Sequence, residues 1–344
     1  MKTTTKPKLI CLTPVRNEAW ILDAFLTATS LWADHIIIAD QNSTDGSREI
    51  YKKYQKVIMV DNVQAEYDEN SRMRLMYAEA RKIEGEKIFI ALDADEIFTS
   101  NYAQTSDWQK IVNAKAGDIF NFQWVWIGSD QKHCKYPDGL YQWAFFDDGS
   151  EPEPGKLHVA RVPWPKKSTP REFFVKDFFI MHLPLLNPKR EKSKRYYYQC
   201  FIVQNCDYSR NAEKQMDNAI KLHRGYYNSI ETELFTDKIP DYFTDEYQKQ
   251  GIDIFALLKF NESYTWQDEK VIEYFEKYGI KFFQKLDIFE KEYLANLSKI
   301  AGKPIKDPRN FLYKLLHFYL RNTQKYKNTF FIRAIDKFLK KTIK

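Results

Sequence analysis

The sequence predicts an α/β protein in which a mostly parallel central sheet is flanked by helices. Three observations support this fold class. Over the first hundred residues, short β-branched runs alternate with longer amphipathic segments. The strand-like runs carry few polar residues, which is typical of parallel strands buried on both faces. The length of 344 residues leaves room for a second unit after this region.

Each element of the N-terminal region has its own signal. The predicted strands are KLICLT at 8–13, HIIIAD at 35–40, KVIMVD at 56–61 and KIFIAL at 87–92. The segments with helical spacing between them are 18–31, 47–55 and 69–83. Residues 101–185 are irregular and rich in Trp, Pro and Gly, and the pattern after 189 is helical. We therefore expect an α/β domain over residues 1–199 and a helical C-terminal region over 200–344.

Composition excludes several classes of protein. The hydrophobic fraction of 44% and the aromatic fraction of 16% are those of a folded chain rather than a disordered one. Since no run approaches the ~20 apolar residues of a membrane span, we expect a cytoplasmic protein. The net charge of +6 is concentrated in residues 305–344, where eleven Lys and Arg face two Asp. A terminal basic tail gives only a generic footprint for nucleic acid, so we expect no nucleic-acid partner.

Polar residues follow three of the predicted strands, and ligands of such sheets bind beyond the carboxyl ends of the strands. The segments are TPVRNE at 13–18, DQNSTDG at 40–46 and DADE at 93–96. The first strand is followed neither by GxGxxG nor by GxxxxGK[ST], which argues against a nicotinamide-binding domain and a P-loop NTPase.

The acids of the DADE segment predict a metal site. Asp93, Asp95 and Glu96 directly follow an apolar strand, where carboxylates are costly unless a cation compensates them. Asp93 and Asp95, spaced i and i+2, can hold Mg²⁺ or Mn²⁺ together with diphosphate oxygens. The alternative is a helix N-cap with an acidic first turn, which accounts for one or two of these acids.

These motifs in this order resemble family 2 of the glycosyltransferases, which has the GT-A fold. The order is PVRNE, then IIIADQNSTDGS, then a helix containing Arg72 and Arg74, then IALDADE. The resemblance implies that Asp40 contacts the nucleotide base and that Asp93 and Asp95 hold the metal on the donor diphosphate. It also places Pro14, Arg16 and Glu18 beside the nucleotide and leaves the choice between Arg72 and Arg74 open.

A histidine and two cations follow farther along the chain. His182 interrupts the apolar run at 178–183 and resembles the histidine that follows the catalytic domain in many of these enzymes. A neutral imidazole there is a candidate metal ligand, whereas Arg190 and Lys194 are candidates for binding the diphosphate. The alternatives are a core histidine and solvated charges at the start of a helix.

An inverting transferase needs a carboxylate that deprotonates the acceptor hydroxyl. Asp147 and Asp148, at the end of an aromatic run, are our candidates, with Glu151 and Glu153 next. The alternative for Asp147-Asp148-Gly149 is a β-turn without chemistry. Trp124, Trp126, Trp143 and Trp164 are candidates for stacking on sugar rings, although such clusters usually belong to a core.

The sequence thus predicts a metal-dependent, inverting glycosyltransferase of the cell envelope or of polysaccharide synthesis. By resemblance, the donor is a nucleotide-diphosphate sugar, a UDP-sugar in particular, and the acceptor is a glycan or a lipid-linked hydroxyl. One alternative function is that of a sugar-phosphate nucleotidylyltransferase. Such an enzyme would have a glycine-rich loop after the first strand, where this sequence has TPVRNE. The rival from another class is a catalytically silent scaffold with the same fold.

The tail carries an amphipathic pattern. Phe331, Ile335, Phe338 and Leu339 fall on one helical face, surrounded by Arg333, Lys337, Lys340, Lys341 and Lys344. This pattern suits a peripheral contact with an anionic membrane, at the inner face for a cytoplasmic protein. The alternative is that the apolar face packs on the preceding helices.

Overall fold

In the computed structural model the chain forms two compact units. The first comprises Met1–Asn187 and Phe235–Asn261, and the second Pro188–Leu234 and Glu262–Lys344. The structure describes residues 6–63, 68–152, 160–205, 219–220, 223–224, 235–260 and 265–342. The predicted boundary at 199 falls inside a helix of the second unit, and the assignment of functional domains stays a prediction.

The first unit begins with the predicted alternation of strands and helices. The strands are β1 (Lys8–Val15), β2 (His35–Asp40), β3 (Val57–Asp61) and β4 (Lys87–Ala91). The helices between them are α1 (Ala19–Ser30), α2 (Ser47–Tyr51) and α3 (Glu69–Arg81). After β4 come β5 (Glu96–Phe98), a 3₁₀ turn and α4 (Ser106–Val112). The remaining strands are β6 (Asp118–Phe122), β7 (Trp124–Ile127), β8 (His133–Lys135), β9 (Tyr141–Phe146), β10 (Arg171–Phe174), β11 (Ile180–His182) and β12 (Asp237–Lys238).

The main sheet is mostly parallel, as predicted. Its order in the described chain is β10-β6-β9-β4-β1-β2-β3, and only β9 runs antiparallel to its neighbours. Val15 pairs with Asp40 and Leu12 with Ala91, so β1, β2 and β4 end at the same edge. We call this the carboxyl edge, and the opposite one the amino edge. The segments TPVRNE, DQNSTDG and DADE all lie at the carboxyl edge.

A second, smaller sheet has the order β12-β8-β7-β11-β5 among the described residues. In it, His182 of β11 pairs with Glu96 of β5 and with Trp126 of β7. The returning segment 235–261 contributes β12 and α6 (Asp245–Lys249) to the first unit. Its Tyr247 is buried and donates a hydrogen bond of 2.9 Å to the carbonyl of Phe98.

The second unit is helical in its described part, as predicted. It contains α5 (Pro188–Asn205), α7 (Trp266–Tyr278), α8 (Lys291–Ala301), α9 (Phe311–Thr323) and α10 (Phe330–Thr342). At the start of α7 the backbone N–H of Thr265 donates to Asp268 Oδ2 at 3.3 Å. No helix among the described residues is both long and apolar enough to cross a membrane.

Candidate nucleotide-sugar site

The loops after β1 and β2 are tied together by hydrogen bonds. The backbone N–H of Asn17 donates to Ser43 Oγ at 3.0 Å, and that of Thr44 donates to Asn17 Oδ1 at 2.7 Å. Asn17 and Asn42 have φ of 56° and 53°, in the left-handed region that asparagine tolerates better than most residues. The two loops therefore form one connected floor at the carboxyl edge.

Asp45 joins the starts of two helices. One carboxylate oxygen accepts from the backbone N–H of Ala19 at 2.9 Å, and the other accepts from that of Ser47 at 3.0 Å. These groups are the first N–H of α1 and of α2, which have no partner inside their own helices. A single aspartate thus fixes both helices relative to the loops.

Asp40 is fully buried and already has several donors. It accepts from the backbone N–H of Ser43 at 3.0 Å, from Arg48 Nε at 2.8 Å and from Tyr51 Oη at 2.9 Å. Arg48 Nη2 also donates a hydrogen bond to Asp61 Oδ1 at 2.6 Å. The structure places Asp40 at the predicted edge, and its contact with a base stays a prediction. Burial, reinforced by Asp40, raises the pKa of Tyr51, which keeps this hydroxyl a donor.

The DADE segment forms a charged cluster around Arg161. The Arg161 guanidinium donates to Asp93 Oδ2 at 2.9 Å and also to Glu96 Oε2. Glu96 is buried, accepts from Trp124 Nε1 at 2.8 Å and from the backbone N–H of Asp93 at 3.0 Å. Burial raises the pKa of Glu96 to about 7; Arg161 opposes that shift and Asp93 adds to it. Although burial opposes it, the pKa of Arg161 is raised by Asp93 and Glu96.

His182 lies beside Asp95, as the metal prediction requires. Its Nε2 is 3.8 Å from Asp95 Oδ1, and the backbone N–H of Leu183 donates to the Asp95 carbonyl at 2.9 Å. The imidazole stacks on Trp124, with ring centres 4.7 Å apart and an angle of 9°. Backbone pairing and stacking therefore fix the position of the ring.

The residues present fit a hard divalent cation. Two aspartates and one imidazole are ligands suited to Mn²⁺, and the aspartates also suit Mg²⁺. Asp95 and His182 already face each other, whereas Asp93 is engaged by Arg161. Accordingly, no group of three His, Cys, Asp or Glu residues in the described ranges is placed to hold a metal ion in this arrangement. Binding of an ion would require Asp93 to exchange Arg161 for the metal.

The two arginines of α3 differ in their surroundings. Arg74 is exposed and donates to Asn70 at 2.9 Å, to Glu151 at 3.4 Å and to the Pro152 carbonyl at 3.2 Å. Arg72 is half-buried in the first turn of the helix. Both lie in the half of α3 that starts near the carboxyl edge, and the choice between them stays open.

Asp147 and Asp148 are not at the carboxyl edge, which disagrees with the prediction that one of them is the catalytic base. Because β9 is antiparallel to β4, its last residue Phe146 pairs with Ile88, and the N–H of Asp147 donates to the Lys87 carbonyl. Both acids therefore lie at the amino edge, beyond the start of β4. Their partners there are structural.

Asp147 is bound by Arg81 of α3 at 2.9 Å, and Asp148 accepts from the backbone N–H of Ser150 at 2.9 Å and from Ser168 Oγ at 2.9 Å. These bonds match the β-turn alternative. Glu151 joins the same cluster through Arg81, and Glu153 lies outside the described residues.

The remaining residues predicted to bind the donor are divided between the two units. Pro14, Arg16 and Glu18 are half-buried at the carboxyl edge, and Glu18 accepts from Trp20 Nε1 at 3.0 Å. Arg190 and Lys194 lie on α5 of the second unit, so their role toward a diphosphate stays a prediction. Burial lowers the pKa of Arg190 to about 10.

Of the four tryptophans, Trp143 is buried, half-buried Trp124 packs against it, Trp126 is half-buried on β7, and Trp164 is exposed. The first two therefore belong to the packing around the site rather than to an open sugar platform.

Residues 11–113 match the family described as Glycosyl transferase family 2. The matched stretch runs from β1 to the end of α4 and includes the segments 13–18, 40–46 and 93–96. With the mostly parallel sheet and the acids at its carboxyl edge, this match defines the class: the protein is a glycosyltransferase with the GT-A fold.

Other comparisons add little to this assignment. No curated protein matches the chain in sequence. Among solved structures, residues 1–349 of TarS from S. aureus share 12% identity, with 96% of this chain and 90% of that chain covered and a TM-score of 0.38. GalNAc-T7, solved with UDP, GalNAc and Mn²⁺, shares 11% identity, with 80% and 58% covered and a TM-score of 0.37. The fold class therefore rests on the family match and the sheet order.

Proposed function

We propose that the carboxyl edge of the first unit binds a nucleotide-diphosphate sugar with a divalent cation and transfers the sugar to an acceptor hydroxyl. The observation that carries this proposal is the pairing of Asp95 with His182, next to Asp93, at the end of a buried strand. These side chains lie at the edge where a donor diphosphate would lie in a sheet of this type. The family match supports the same reaction class.

In this proposal Asp93, Asp95 and His182 would hold Mn²⁺ or Mg²⁺, which would supply positive charge for the donor diphosphate. Asp40 binds the base, with the tied loops after β1 and β2 fixing its position. For inversion, the base that accepts the proton of the acceptor is to be sought at the carboxyl edge, since Asp147 and Asp148 lie at the other end of β4. A UDP-sugar donor, a glycan or lipid-linked acceptor, and a cytoplasmic location remain parts of the proposal.

The binding step is tested by measuring the affinity for UDP by calorimetry with Mn²⁺ and with EDTA. We expect EDTA to abolish binding to the wild type and Asp95→Asn to abolish the Mn²⁺-dependent part, because one charged ligand of the ion is lost. The matched control is Asp148→Asn, a partly buried aspartate of the same unit at the amino edge, which should bind UDP like the wild type. The same affinity with EDTA as with Mn²⁺, in wild type and variant, contradicts the proposal.

A further inference from the structure

The outward faces of α9 and α10 are unusually apolar. The most exposed phenylalanines of the described chain are Phe330, Phe311, Phe331, Phe338 and Phe318, which expose 88%, 81%, 73%, 62% and 61% of their surface. All five lie on these two helices. Leu312 and Leu315 of α9 are exposed as well. Large apolar side chains gathered in this way mark a surface that another apolar phase covers.

The inward faces of α9 and α10 pack against other residues of the second unit. Leu316 and Leu320 of α9 are buried against Ala219 and Ile220, and Leu339 of α10 packs against this cluster. Asp336 of α10 accepts from Arg224 at 2.8 Å and from Tyr319 Oη at 2.9 Å.

The packing alternative for the tail is therefore confirmed for only part of α10, and the membrane contact stays a prediction. Leu339 packs on the unit, whereas Phe331 and Phe338 remain outside.

A basic cleft borders the outward face of α10. It has a volume of about 340 Å³ and is lined by Arg224, Lys327, Asn328, Arg333, Asp336, Lys337 and Lys340. Its five cations face a single carboxylate, Asp336, which is already bound to Arg224. The cleft therefore carries an excess of positive charge, and basic pockets of this kind bind the phosphate of lipid head groups.

We propose that the outward faces of α9 and α10 form a docking surface for an anionic membrane, with a lipid phosphate bound in the cleft. The exposed phenylalanines and leucines would enter the head-group region while Arg333 and Lys337 meet the anionic surface. A second copy of the chain fits less well, because Lys314, Arg321, Arg333 and Lys337 would bring like charges together. Unlike the exposed phenylalanines, Leu312 and Leu315 offer no ring on which a nucleobase stacks, whereas a lipid phase buries both kinds of side chain.

The proposal is tested by flotation of the full-length protein with phosphatidylglycerol–phosphatidylcholine vesicles and with pure phosphatidylcholine vesicles at low salt. We expect binding to the anionic vesicles alone. Arg333→Glu with Lys337→Glu should weaken it by at least about tenfold, since two charges at the surface are reversed. Phe330→Ser with Phe338→Ser should weaken it similarly. These four side chains are exposed, so the fold should survive, which thermal melting verifies.

The matched control is Lys291→Glu with Lys299→Glu, two exposed lysines of α8 in the same unit. This pair should change vesicle binding by no more than about twofold, because it lies outside the docking surface. The proposal is overturned if the wild type does not float with anionic vesicles, or if the control pair weakens binding as much as the α10 pairs. It is also overturned if sedimentation shows a dimer that Phe330→Ser with Phe338→Ser dissociates, or if RNA binds and vesicles do not.

Discussion

Arg161 holds together carboxylates that would otherwise repel one another. Its guanidinium bonds Asp93 and Glu96 and lies over the rings of Trp124 and Trp143, 5.6 and 5.2 Å from their centres. Delocalised cations of this kind pair with carboxylates and aromatic faces at the same time. In the absence of an ion, Arg161 therefore supplies the positive charge at the DADE segment.

This arrangement predicts that Arg161→Gln destabilises the metal-free protein by about 3 kcal/mol, because Asp93 and Glu96 lose their counter-ion. Mn²⁺ should restore part of that loss by neutralising Asp93 itself. The measurement is thermal unfolding with EDTA and with Mn²⁺.

Arg81→Gln is the matched control, because Arg81 also joins two carboxylates, Asp147 and Glu151, but at the amino edge. Mn²⁺ should not restore its stability. Equal restoration of both variants, or of neither, would show that Arg161 and the metal do not share Asp93.

At the scale of elements, the predicted strands and helices of the N-terminal region are confirmed. Local signals suffice there: HIIIAD forms β2 over His35–Asp40, and the helix predicted at 69–83 is α3, Glu69–Arg81. The acids of the carboxyl edge could also be predicted, because parallel strands that end in polar residues place them at one edge.

Two features of the site could not be read from the sequence. The direction of β9 is set by its pairing with β4 and not by its own composition, so the sequence does not show that Asp147 and Asp148 lie at the amino edge. Arg161 lies 65 residues from Glu96 in the chain, and only the fold brings the two together. A single arginine in an irregular segment has no local signal for such a contact.

Asp45 gives a prediction about two helices at once. Asp45→Ala removes acceptors from the first N–H of both α1 and α2, and each lost cap costs about 1 kcal/mol, so we expect a loss of about 2 kcal/mol. Asp68→Ala is the comparison, because Asp68 caps α3 alone through the N–H of Ser71 at 3.0 Å. Urea unfolding of both variants measures the difference. A loss no greater for Asp45→Ala than for Asp68→Ala would mean that Asp45 does not stabilise both helices.

At the scale of the whole molecule, two buried histidines make stability depend on pH. His317 has Nε2 at 3.1 Å from the Lys285 carbonyl and Nδ1 at 3.2 Å from Arg309. Because arginine only donates, Nδ1 accepts and the ring is neutral with its proton on Nε2. Burial lowers the pKa of both His317 and His223 to about 3, and Arg309 adds to this for His317.

The sign follows from the unfolded pKa of about 6.5. Below that pH the unfolded chain binds protons that the folded chain does not, so stability falls from pH 6.5 toward pH 3. The slope should reach about 1.4 kcal/mol per pH unit for each histidine. Urea unfolding at several pH values measures it, and His317→Gln should remove about half of this contribution. Ring proton signals of both histidines that titrate near pH 6.5 in the folded protein would contradict the assignment.

The return of residues 235–261 to the first unit has a consequence for synthesis on the ribosome. When Asn187 has been translated, the first unit still lacks β12, which pairs with β8, and Tyr247, which bonds the Phe98 carbonyl. β12 is complete at Lys238, 51 residues after Asn187, and the whole returning segment is complete at Asn261, 74 residues after it. At translation rates of about 5 to 20 residues per second, the edge of β8 stays uncovered for about 3 to 10 s and the first unit stays incomplete for about 4 to 15 s. We therefore expect the nascent chain to be most prone to aggregation during that interval, and slower translation to lengthen it.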